Sequence, residues 1–116
     1  MNLRELVCNL LEHVPPGKVT TYGDVGKALG TKGYRAIGQI LHRNPDWPRI
    51  PCHRVVQKDG SLAPNYGMGG PSIHLKRLKA EHVSFIEGKV NMEKHKIPLT
   101  ELKELVHLLD ADTHLV

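Results

Sequence analysis

Cys8 and Cys52 are the only cysteines in a chain of 116 residues, too few for the disulfide framework of a small secreted domain. No ordering of the two with the histidines gives a zinc-finger spacing, so no metal site is expected. Hydrophobic runs are short, well below membrane-spanning length, and Glu5 and Glu12 stand where a signal peptide would be apolar. Internal repeats and low-complexity tracts are lacking as well. These absences point away from any membrane partner and toward an intracellular, reducing compartment, cytoplasmic or, in a eukaryote, nuclear, where a free thiol is permitted.

What is present fits one globular domain. The length matches a single core, and 40% hydrophobic with 24% charged residues excludes a disordered chain. Charge is unevenly spread. Residues 1–80 carry 12 basic and 5 acidic side chains, net +7, whereas 81–116 carry 4 and 7, net −3. A basic module joined to an acidic tail suggests a polyanionic partner, nucleic acid first, because each phosphate contact releases counterions.

Leu3, Leu6, Val7, Leu10, Leu11 and Val14 recur at helical spacing behind Asn2 and Glu5, a capping-box-like start, and Pro15-Pro16-Gly17 ends that helix. Cys8 lies beside this stripe, so packing is its expected role. Thr21 and Asp24 open a second helix that closes at Gly30. The next segment, 34–43, places Tyr34, Ile37, Gly38 and Leu41 on one face and Arg35, Gln39 and His42 on the other. Two short helices across a glycine-containing turn form a helix-turn-helix pattern, although a helical hairpin with solvated arginines has the same appearance. A proline-stiffened loop follows, then a short strand at Val55-Val56-Gln57 and a turn at Asp59-Gly60. Beyond the glycine-rich stretch 65–70 a basic helix is expected over about 72–81, with Ile73, Leu75, Leu78 and Ala80 inward. A small hairpin over 83–90 and a last helix over about 98–109 complete the chain. The fold class is therefore mostly α with a small β component.

Pro51-Cys52-His53-Arg54-Val55-Val56 is the chemically loaded segment. A thiol gains nucleophilicity when an imidazole acts as its base, directly or through water, and Arg54 adds positive charge nearby. In an extended strand Cys52 and His53 would face opposite ways, so cooperation requires the backbone to turn there. A buried structural cysteine beside a surface histidine is the plainer alternative.

This hexapeptide, with Tyr22, Arg35-Ala36-Ile37-Gly38, Asn44-Pro45 and Asn65-Tyr66-Gly67-Met68-Gly69-Gly70, resembles the carboxy-terminal active domain of O6-alkylguanine-DNA alkyltransferases, the methylated-DNA–protein-cysteine methyltransferases. Order and spacing agree over roughly residues 2 to 86. The resemblance implies a winged-helix-like helix-turn-helix domain over 1–86; residues 87–116 lie outside it and are read as an acidic extension whose one helix packs on that domain. It further implies irreversible, single-turnover transfer of the alkyl group from O6-alkylguanine in double-stranded DNA to Cys52. The protein would act as a monomer in the minor groove, with no cofactor.

By the same resemblance His53 and Glu81 form, with a bound water, a relay to the thiol, although His82 stands where the family usually has glycine. Arg35 matches the finger that fills the base stack when the damaged nucleotide flips out, on a helix whose Ala36, Gln39 and Arg43 also face DNA. Tyr22 matches the tyrosine that presses on the target phosphate and helps protonate the departing guanine. Asn44 resembles the hinge asparagine between recognition helix and cysteine loop. Leu41, Val55, Tyr66 and Gly67, with Arg54, are assigned to the guanine pocket. Alkyltransferase-like proteins, which bind the lesion by the same flipping and flag it for excision repair, are similar in size but typically carry tryptophan or alanine where this chain has Cys52. A winged-helix regulator would need base-reading side chains and usually a dimer surface, neither of them identifiable here, and a cysteine hydrolase would not explain Arg35 or Tyr22.

Overall fold

The computed structural model describes residues 2–114 except 45, 65 and 68, with side chains through 109. Helix α1 (Leu3–Leu11) begins where Asn2 accepts a hydrogen bond from the Glu5 amide, satisfying one of the donors a helix start leaves open. Its buried face is Val7, Leu10 and Leu11. Strand β1 (Thr20–Thr21) runs directly into α2 (Tyr22–Leu29), for which Thr21 is the cap through Asp24 N. Gly30, at φ +74°, closes α2 in the left-handed conformation that glycine adopts without a steric penalty. After a short turn comes α3 (Tyr34–His42), burying Ile37 and Leu41. A Cβ at Gly26 would sit 2.5 Å from the Tyr34 ring and 2.9 Å from the Thr31 carbonyl, so this glycine sets the close approach of α2 to the start of α3.

A single 3-10 turn, Cys52–Arg54, follows the proline loop and leads into β2 (Val55–Val56). β2 pairs in parallel with β1, Thr20 against Val55 and Thr21 against Val56. This pairing fixes the start of α2 relative to the cysteine turn, elements separated by some thirty residues. Helix α4 (Gly70–Ala80), the hairpin β3 (Phe85–Ile86) and β4 (Lys89–Val90), α5 (Met92–His95) and α6 (Leu99–His114) complete the fold. Among the described residues no helix is long and apolar enough to cross a membrane.

Two apolar clusters hold these elements. The larger gathers Val7, Leu10, Leu11, Val25, Ile37 and Leu41 with Cys52, Val55, Tyr66, Ile97 and Leu102. The smaller joins Val19, Val56, Leu78, Val83 and Val90. Burying each large aliphatic side chain contributes about 1.5–3 kcal/mol. Helix α6 packs mainly on α2 and also on α1, and Leu102 is fully buried in the larger cluster. The segment before α6 is braced by buried His95. It accepts from Ser84 N at Nε2 and donates from Nδ1 to the Gly17 carbonyl, at 2.9 Å each.

The mostly helical single domain agrees with the sequence reading, while three local expectations need correction. Helix α4 starts at Gly70, not Ser72, because Pro71 fits the first turn, where its missing N–H costs nothing. Its inward residues are His74 and Leu78, whereas Ala80 is exposed. Sequence periodicity also passed over α5, although Asn91 caps it by accepting from Lys94 N.

Candidate active site

A cleft of about 730 Å³ opens beside α3, lined in part by Tyr22, Arg35, Gln39, Arg43, Tyr66 and Gly67. At its foot Tyr22, Leu41, Tyr66 and Gly67 also line a recess of about 30 Å³ that reaches Cys52. That inner space holds about one or two waters. Gly67 is needed for this geometry, since a Cβ there would lie 2.1 Å from the His42 carbonyl oxygen. Arg35, Gln39 and Arg43 are exposed on one side of α3, while Leu41 turns inward on the other. Ala36 is exposed on the same helix but does not line the cleft. Of the motif 65–70, Asn65 and Met68 lie outside the described residues, as does Pro45.

Asn44 connects the recognition helix to the cysteine loop. Its Nδ2 donates to the Ile50 carbonyl at 2.7 Å, and its Oδ1 accepts from Asp46 N at 2.9 Å. The same Ile50 carbonyl accepts from Cys52 N at 2.9 Å. Arg49 pairs with Glu12 and Asp46, fastening the loop to the end of α1.

The backbone does turn at Cys52 and His53, in the form of the 3-10 turn. Successive side chains on such a turn diverge by about 120°, which sends the three residues to three places. Cys52 is buried, and its Sγ lies 3.5 Å from Tyr66 Oη. His53 is buried between Trp47, whose indole Nε1 donates to Nδ1 at 2.9 Å, and Glu81, whose Oε2 stands 2.9 Å from Nε2, off the line of the N–H bond. Because an indole nitrogen can only donate, Nδ1 is the acceptor and the neutral ring carries its proton on Nε2, toward Glu81. Arg54 turns to Glu81 as a two-pronged fork, Nε to Oε1 at 3.0 Å and Nη2 to Oε2 at 2.6 Å, and its Nη1 donates to the Val14 carbonyl at 2.7 Å.

Arg54 therefore does not line the recess, contrary to its sequence assignment, because its donors are directed to Glu81 and Val14. Val55 likewise does not line it: the side chain is fully buried in the larger cluster, and the residue pairs with Thr20. Glu81, by contrast, stands against His53, as the resemblance implied. His82 adopts φ +64°, a left-handed conformation that explains why glycine is usual after that glutamate.

The electrostatics follow from burial and these pairings. Burial holds His53 below the ordinary histidine range, against the opposing pull of Glu81. Burial alone would raise the Glu81 carboxyl, but the hydrogen bonds from Arg54 and the close approach of His53 outweigh it and keep the group ionised below the usual range. Tyr22 is pushed up to about 12, by burial first and then by the neighbouring Cys52. Burial also raises Tyr66, so its phenol keeps the proton at neutral pH.

Three residues absent from the sequence reading complete the site. Trp47 orients His53. Arg77 places its guanidinium 3.6 Å from the centre of the Trp47 ring and donates from Nη1 to Tyr66 Oη at 2.8 Å. His74 stacks on Tyr66, with ring centres 4.4 Å apart and 18° between planes, and its Nε2 donates to the His53 carbonyl at 2.8 Å. Single residues on one loop and one helix carry no mutual signal in sequence, and only the packing of α4 against the cysteine turn brings them together.

Residues 2–83 match the family model described as "6-O-methylguanine DNA methyltransferase, DNA binding domain". A bifunctional methyltransferase/endonuclease of Picrophilus torridus is 35% identical over 112 residues, covering 90% of this chain and 37% of that protein. A methylated-DNA–protein-cysteine methyltransferase of Methanocaldococcus jannaschii is 40% identical over 84 residues, 72% of this chain and 50% of that protein. The chain thus spans between a third and a half of these curated relatives. Among solved structures, S. pombe Atl1 in complex with damaged DNA containing O6-carboxymethylguanine superposes with a TM-score of 0.69 at 25% identity, covering 84% of this chain and 100% of that one. With the matched model extending over most of its length, the chain belongs to the 6-O-methylguanine DNA methyltransferase family of DNA-repair proteins, through that family's DNA-binding domain.

Proposed function

We propose that this chain repairs duplex DNA by moving the alkyl group from the O6 atom of a flipped guanine to Cys52, in a single turnover. The observation carrying this reading is the buried thiol at the foot of a cleft whose outer wall is the basic face of α3. An O6 atom inside a duplex is out of reach, so the nucleotide must leave the stack. Arg35, exposed at the cleft, is suited to fill the gap it leaves, with the phosphates held by the basic surface.

In the transfer the S–C bond forms as the C–O6 bond breaks. The proton lost from Sγ is balanced by one gained by the guanine, and Tyr22, which lines the recess, is the residue we assign to supply it. His53, backed by Glu81, is the base of a water relay from the thiol. Its Nδ1 is held by Trp47 in the resting site, so accepting the thiol proton at that atom requires the indole to release it. Asn44 keeps α3 and the cysteine turn in register while DNA is bound. The active species is a monomer acting in the minor groove, inside the cell.

Binding without transfer is the second reading, favoured by the full coverage of the Atl1 chain. The retained thiol supports transfer instead. Cys52→Ser separates the two. It is expected to abolish methylation of the protein by duplex DNA bearing O6-methylguanine while leaving lesion binding intact, both followed by peptide mass and gel shift. Unmodified Cys52 in the wild-type protein, with the lesion bound but still methylated, would establish binding alone.

A further inference from the structure

Tyr66 Oη lies between two groups, Arg77 Nη1 at 2.8 Å and Cys52 Sγ at 3.5 Å. Arginine has no acceptor, so the phenol oxygen accepts from Arg77 and its own hydrogen must point elsewhere. The sulfur is within reach of that hydrogen, and an O–H aimed at sulfur favours the anionic form. The phenol is held from one further side: His74 fixes the plane of its ring by stacking and is itself anchored to the His53 carbonyl. Arg77 rests on the face of Trp47, whose N–H is engaged with His53.

From this geometry we propose that Arg77, acting through the Tyr66 hydroxyl, stabilises the Cys52 thiolate. Tyr66 touches the reacting sulfur, and Arg77 is a positioning residue that orients the phenol hydrogen toward it. The assignment deepens the transfer reading, since it concerns the same nucleophile. Other titratable groups facing the thiol are Tyr22 from α2 and His42 from α3, which line the recess, and His53, next in the chain.

The test needs no DNA. In a Cys8→Ser background, the rate of Cys52 alkylation by iodoacetamide is measured against pH. Tyr66→Phe, nearly isosteric, is expected to move the midpoint of the profile up by about one unit, cutting the rate at neutral pH roughly tenfold. Arg77→Leu should shift it similarly, and Arg77→Lys, which keeps a charged donor, should restore most of the loss. Because Arg77 works through the phenol, adding Arg77→Leu to Tyr66→Phe should shift the midpoint no further. Unchanged midpoints in Tyr66→Phe would overturn the assignment. So would a full effect of Arg77→Leu in the Tyr66→Phe background, which would mean that the guanidinium acts on sulfur directly. Should these shifts occur in a protein that takes no methyl group from DNA, the transfer reading fails and the Arg77 assignment stands.

Discussion

The indole of Trp47 donates to Nδ1 of His53 at 2.9 Å, and this contact decides which nitrogen of a buried imidazole carries the proton. The ring must then present Nε2–H to Glu81. Replacing Trp47 by phenylalanine keeps an aromatic face for Arg77 and deletes the donor together with part of the ring. Nitrogen-15 NMR of the side chain is expected to show a single Nε2–H tautomer in the wild type and a mixture in Trp47→Phe. Stability should fall by about 1 kcal/mol for the lost buried hydrogen bond. An Nδ1–H tautomer in the wild type would contradict the assignment.

Acid should weaken the fold through the buried histidines. Burial lowers His74 from 6.5 to about 4, its Nδ1 having no hydrogen-bond partner among the described residues. A base whose folded pKa is depressed binds fewer protons folded than unfolded across that window, so stability is complete above pH 6.5 and declines toward pH 4. Glu81, also depressed, acts in the same direction at lower pH. In His74→Gln, whose amide can still donate to the His53 carbonyl, urea denaturation should show a loss between pH 7 and 4 smaller by on the order of 3 kcal/mol. Parallel stability curves for the two proteins would refute the linkage.

His82 carries backbone strain at the end of α4, at φ +64°. His82→Gly relieves it at an exposed position and is expected to stabilise the protein by about 1 kcal/mol, seen as a higher urea midpoint with an unchanged slope. A lower midpoint would mean that the side chain makes a contribution that exceeds the strain.

The first three helices were legible because their ends carry local chemistry: Asn2 and Thr21 cap, Gly30 terminates, and the apolar spacing names the buried faces. Cys52, His53, Glu81 and Asn44 were legible through motif order, and the structure brings His53 to Glu81 and Asn44 to the loop before Cys52. Other features depend on distant partners. His74 reads as polar until the His53 carbonyl and the Tyr66 ring are supplied, so hydrophobic periodicity selected Leu75 and Ala80 in its place. Arg54 is only two positions from the thiol in sequence, yet the 3-10 turn directs it to a carboxylate 27 residues away. Trp47 and Arg77 act on residues of other segments, His53 and Tyr66, and no local pattern marks either.

Direct transfer to Cys52 is tested most plainly by stoichiometry. A fixed amount of protein is titrated with duplex DNA carrying radiolabelled O6-methylguanine, and the label on protein is counted and mapped. The account predicts a plateau at one methyl group per chain, all on the peptide containing Cys52, with no further turnover when fresh DNA is added. Label that stays entirely on the DNA while the protein remains bound to the lesion would contradict it.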